Sequence, residues 1–137
     1  MLVVFALGIA GCAGQRDLFE RNTMPANPKT DILAFLRSYL NDPTNVRDAS
    51  LTQPSLQRVG GQDRYMVCVR FNARKSDGRY AGLIETAAVF NPSGRLDRFL
   101  DLTPDETAAD AALREQLGSV CKIATYQPFP ELERLTR

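Results

Sequence analysis

From Pro28 onward, apolar and polar residues recur with two different periods, and the switch between them divides the chain into helix and sheet. Ile32, Leu33, Phe35, Leu36, Tyr39 and Leu40 share one helical face. Asn27 and Pro28 suit the start of that helix, and Asn41-Asp42-Pro43 suits its end. Beyond it the period falls to two. Segments 64–74, 79–90 and 95–102 read as strands set between three turn tetrads, Gly60-Gly61-Gln62-Asp63, Lys75-Ser76-Asp77-Gly78 and Asn91-Pro92-Ser93-Gly94. Residues 48–59 supply a fourth strand, which Pro54 places at an edge or a bulge. Short connections make this an antiparallel meander.

Closing the loop Lys75–Gly78 pairs Arg74 with Arg79 and sets Cys68 opposite Glu85. One face then carries Tyr65, Val67, Val69, Phe71, Tyr80, Ile84 and Ala88, and should receive the first helix. The reverse face carries Met66, Cys68, Arg70, Leu83, Glu85, Ala87 and Val89, continued by Leu96, Arg98 and Leu100. It is too apolar to stand bare in water, so the C-terminal segment is expected to cover it. There, Thr103-Pro104-Asp105-Glu106 has the form of a capping box. Ala108, Ala109, Ala112, Leu113 and Leu117 continue a helix that Gly118 can close. Residues 120–126 read as a short strand or extended cover, and 131–135 as a last helical turn. The expected fold is α+β: an N-terminal helix on a four-stranded antiparallel meander, with a C-terminal helix or extended segment over the other face.

Composition narrows the chemistry. A chain of 137 residues is one domain by size, and its net charge of +1 creates no field that would draw nucleic acid. There is no histidine, which excludes Ser-His-Asp and Cys-His nucleophiles and His-based zinc sites. No cofactor or metal is expected.

Ahead of the helix, the apolar run Leu2–Ala10 is too short to span a bilayer and ends in Ile9-Ala10-Gly11-Cys12, with polar sequence from Gln15. These residues resemble the signal peptide and lipobox of small bacterial lipoproteins of Gram-negative type. The resemblance implies cleavage before Cys12 and lipidation of its thiol, palmitate included. No Lys or Arg precedes Arg16, so the basic start of such a leader is missing and translation is expected to begin upstream. Ala13 after the cysteine implies the periplasmic face of the outer membrane rather than the inner membrane. The resulting organisation is a leader over 1–11, a lipid-anchored tether over 12–27 and a domain over 28–137. With Cys12 taken by lipid, Cys68 and Cys121 are left as a disulfide pair in an oxidising compartment, the alternative being two free buried thiols. A disulfide would staple the C-terminal segment over the second face.

The best candidate for a polar site is Glu85 with Arg70 and Arg98, which the expected register makes diagonal neighbours. They suggest an anion- or peptide-binding spot, or else a covered ion cluster. Asp97, Asp101, Asp105 and Glu106 offer carboxylates, but at positions typical of strand ends and helix caps. Arg64, Arg70, Arg74, Arg79, Arg95 and Arg98 match carboxylates or phosphates of the envelope better than RNA. These readings point to a non-catalytic envelope lipoprotein working through protein–protein contact, loosely similar in architecture to accessory lipoproteins of outer-membrane assembly machinery. The alternatives are a ligand-binding or hydrolase-inhibitor lipoprotein that acts through Lys75–Gly78 or Asn91–Gly94, and, less favoured, a carboxylate-only enzyme. A Cys12→Ser form is expected to lose palmitate labelling and membrane partitioning; unchanged labelling refutes the anchor.

Overall fold

The structure, a computed structural model, describes residues 22–137. The leader, the lipobox and Cys12 lie outside the described residues. In chain order the elements are helix α1 (Pro28–Tyr39), strands β1 (Asp42–Leu51), β2 (Ser55–Val59), β3 (Gln62–Arg74), β4 (Ile84–Phe90) and β5 (Leu96–Asp101), helix α2 (Ala111–Lys122), the short strand β6 (Gln127–Pro128) and the helical turn α3 (Pro130–Glu133). The fold is α+β, helices on an antiparallel sheet, as the residue pattern leads one to expect. The sheet is larger than a four-stranded meander. Its order is β5-β4-β3-β1-β6, and β2 also pairs with β3.

The long strand β3 is the axis. Along one edge it pairs with β4, and along the other with β1 and β2 in succession. Gln53 and Pro54 fall between the two shorter strands, where a proline costs no ladder hydrogen bond. Buried Thr52 ties this corner down: its N–H donates to the Cys68 carbonyl at 3.0 Å, and its Oγ1 accepts the Cys68 N–H at 2.9 Å. β1 begins six residues before the expected strand because two register shifts interrupt it, with Asn45 and Asp48 both at φ 54°. Such bulges break the alternation that reveals a strand, and Asn and Asp tolerate the left-handed conformation best.

Between β3 and β4, Cys68 faces Ala87 and Arg70 faces Glu85. Each residue therefore meets a partner two positions later than a closed Lys75–Gly78 loop implies. The reason lies before β4. Arg74 makes one isolated bridge to Tyr80, and the Gly82 N–H turns to the Asn72 side chain at 3.0 Å, so residues 81–83 leave the ladder. An even slip leaves every side chain on its expected face. Leu96 is the exception, because a shift between Val89 and Phe90 turns it toward the α1 side.

Both faces are covered. On one, Ile32 and Leu36 of α1 pack with Val67, Val69 and Phe71 of β3, Ala88 and Phe90 of β4, and Val46, Ala49 and Leu51 of β1. On the other, Leu117 and Cys121 of α2 pack with Met66, Cys68, Ala87, Val89 and Leu100. The last residues do not remain on that second face. The chain rounds the β1 edge through β6, where the Phe129 N–H donates to the Ala49 carbonyl at 2.9 Å, and Phe129, Leu132 and Leu135 complete the α1-side core.

The expected capping box does not cap. Asp105 Oδ1 instead accepts the N–H and hydroxyl of Thr107, and Asp101 Oδ1 does the same for Thr103, forming local turns that compete with a helix. Helix α2 starts only at Ala111, and Gly118 lies inside it rather than closing it. Its Cys121 is bonded to Cys68 with the Cα atoms 5.6 Å apart. A bridge closing a separation of 53 residues is worth about 4 kcal/mol in the chain-entropy account. Urea unfolding of a Cys68→Ala/Cys121→Ala form is expected to lose most of that amount; a loss under about 1 kcal/mol would show that α2 holds its place without the bridge.

Candidate functional site

Beside the bridge, the second face carries its polar residues. Arg70 on β3 and Glu85 on β4 are direct cross-strand partners, with Arg70 Nε and Nη2 at 2.8 and 2.7 Å from Glu85 Oε2. Arg70 Nη2 also reaches the Cys121 carbonyl at 3.4 Å, and its guanidinium lies 3.8 Å from the centre of the Tyr126 ring. The Tyr126 hydroxyl donates to the same Glu85 Oε2 at 3.4 Å. Burial, reinforced by the Glu85 carboxylate and opposed by Arg70, pushes the Tyr126 phenol up to about 12. The hydrogen bonds to the Glu85 carboxylate thus fall on one oxygen, and Oε1 has none among the described residues.

Glu85 is also part of the wall of a cleft of about 710 Å³ between α2, the start of β4 and the segment after β5. Its apolar surface comes from Leu83, Ile84, Leu102, Pro104 and Ala111, and Leu83 is 58% exposed. Its charges are Glu85, Asp105, Glu106 and Glu115 against Arg114 and Lys122. Arg114 is already engaged by Asp110, 2.7 Å away, so the free balance at the rim is acidic. The hydrogen bonds from Thr107 hold the Asp105 carboxyl below its usual range. Gly118 lines the α2 wall, and a side chain there would meet nothing within 4 Å.

The expected site is therefore divided. Arg70 and Glu85 come together directly, but Arg98 pairs with Val89, four residues along β4 from Glu85, and stays outside the cluster. Cys68 and Cys121 are joined, and Cys12 lies outside the described residues. Asp97 is exposed on β5 away from the cleft, Asp101 is occupied by Thr103, and Asp105 and Glu106 stand at the rim. Of the two candidate loops, Asn91–Gly94 is packed against the incoming chain: the Thr23 N–H donates to the Pro92 carbonyl at 2.8 Å. Lys75–Gly78 stays exposed. The segment 22–26, at the end of the expected tether, thus lies on the domain, with Pro25 buried. Tyr126 and the α2 wall were missed. The available signal was an aromatic residue in the one segment obliged to lie over Arg70 and Glu85.

The chain matches no family model, no curated protein and no solved structure. No helix among the described residues is long and apolar enough to cross a membrane.

The geometry makes Tyr126 a reporter of the cluster. By ultraviolet titration its phenolate is expected to form only near pH 12, and Glu85→Gln should bring that midpoint down by removing the neighbouring negative charge. A native pKa above the ordinary 10 means that this group's contribution to stability is intact below pH 10 and is lost as pH rises through about 12. An unmoved midpoint in Glu85→Gln would show that the carboxylate does not act on the phenol.

Proposed function

We propose that the chain is a non-catalytic lipoprotein of the cell envelope, held by lipid at Cys12, whose α2–β4 cleft docks a segment of an envelope partner protein. The single observation that carries the location is the buried Cys68–Cys121 bridge, since such bonds persist in oxidising compartments. The leader Leu2–Cys12 supports the same address. Docking at the cleft is supported by an exposed apolar residue, Leu83, and by the wall carboxylates Asp105, Glu106 and Glu115, which form no ion pair among the described residues. A partner segment bearing Lys or Arg next to an apolar side chain complements both features.

Orientation supports the same surface. Asn22 Nδ2 donates to the Asp63 carbonyl at 2.8 Å, at the start of β3, and Thr23 meets the turn after β4. The cleft lies at the opposite end of β4, six residues or roughly 20 Å away. The expected tether therefore enters the domain at the Asn22 end, the end of β4 opposite the cleft.

The test is photo-crosslinking of the full lipid-anchored chain in intact cells. A crosslinker at Ser119, on the cleft wall, is expected to give a discrete protein adduct that Leu83→Arg abolishes, while the same group at Leu56 on β2 gives none. Identical adducts from both positions, or adducts indifferent to Leu83→Arg, would remove the cleft from the account. Recovery of the native chain in the cytosol would remove the envelope.

A further inference from the structure

We propose that Arg47, Arg74 and the ring of Tyr80, outside the cleft, form a binding site for a phosphoryl group. The Arg47 guanidinium lies 4.0 Å from the centre of the Tyr80 ring, and that of Arg74 lies 5.2 Å from it. The ring is oriented by its hydroxyl, which donates to the Asn45 carbonyl at 2.7 Å. Two like charges thus share one aromatic platform.

Neither guanidinium makes a hydrogen bond among the described residues. Arg74 Nε is buried without a partner, and the nearest carboxylate oxygen, Asp42 Oδ2, is 3.9 Å from its Nη1. Leaving a donor of a charged group desolvated and without a hydrogen bond is costly. Asp42 cannot neutralise the pair. Its other oxygen accepts from Thr44, and Arg137 draws on it as well, also at 3.9 Å. Asp48 forms no ion pair among the described residues, and Asp77 accepts the backbone N–H of Arg79 at 2.9 Å. Lys75 and Arg79, on the adjoining turn, have no carboxylate partner among the described residues and add to the positive side.

The backbone is shaped around the same residue. Arg47 lies between Asn45 and Asp48, the two non-glycine residues with positive φ among the described residues, in the bulged part of β1. Bulges re-aim side chains, and left-handed conformations at such residues cost stability that the surroundings must supply. Here the strained segment sets Arg47 over the ring. A phosphate monoester carries a charge of roughly −1.5 to −2 and three acceptor oxygens, which matches two guanidinium groups where a single carboxylate matches one.

The experiment titrates the full chain with inorganic phosphate in a phosphate-free buffer, against chloride at equal ionic strength, followed by backbone amide spectra. Saturable shifts are expected at residues 45–48 and 74–80 with phosphate only. Arg47→Gln, an exposed change that leaves the remaining spectrum native, should weaken the response about tenfold or more. Arg47→Lys, which keeps the charge without the fork, should fall between, and Arg98→Gln should change nothing. Phosphatidylglycerol and phosphatidylcholine vesicles form the second arm. Arg47-dependent binding to the anionic vesicles without a response to free phosphate assigns the phosphoryl group to a lipid headgroup; a response to free phosphate assigns a soluble one. The proposal is overturned if phosphate and chloride act alike and vesicle binding ignores Arg47, or if Arg47→Gln and Arg98→Gln weaken binding equally.

Discussion

Strands β3 and β4 have apolar side chains on both faces, so the sheet cannot be stable until both are covered. On one side Val67, Val69, Phe71, Ala88 and Phe90 meet α1, and the tail adds Phe129, Leu132 and Leu135. On the other, Met66, Cys68, Ala87 and Val89 cluster with Leu100, Leu102 and the α2 residues Leu117 and Cys121, and Tyr126 packs against them. α2 is a 12-residue helix without a side-chain cap, marginal by itself in water. The Cys68–Cys121 bond fixes this second layer to the centre of the sheet. The cleft, the Arg70–Glu85–Tyr126 cluster and the passage of the tail around the β1 edge all depend on where that bond holds α2.

Much of this arrangement was legible in the residue pattern, and its errors have physical causes. Alternation along 64–74 and 84–90 assigned both faces correctly because a two-residue slip preserves parity. It did not assign the register, since Asn72 and Gly82 divert residues 81–83 from the ladder. β1 was half hidden: Pro43 reads as the end of a helix, and bulges at Asn45 and Asp48 erase the period of two. Thr103–Glu106 spelled a helix start, but the aspartates at 101 and 105 bound their own neighbouring threonines first. The tail's return to the α1 face left no mark in the alternation, because one aromatic and two leucines in a short segment suit either side.

The candidate site followed the same logic. Arg70 and Glu85 were identifiable as partners from their shared face, whereas Arg98 was included through a register that the bulge at Val89 and Phe90 shifts. The cleft depends on how α2 rests on β4, a tertiary fact that periodicity does not contain. The Arg47–Tyr80–Arg74 cluster joins residues from β1, β3 and the loop before β4, and its arginine on β1 lies in the part of the strand that the bulges conceal. A chain without histidine has its polar chemistry in arginines, carboxylates and tyrosines, and in this fold they gather where strands are interrupted.

Two distant sulfurs meet across the second face, and the proposed envelope location rests on that bond existing in the native protein. Mass mapping under non-reducing conditions, on native protein alkylated at the moment of cell lysis, tests it most directly. The predicted result is one linked peptide pair containing Cys68 and Cys121, with neither thiol alkylated. Finding both cysteines alkylated in otherwise intact protein would contradict it.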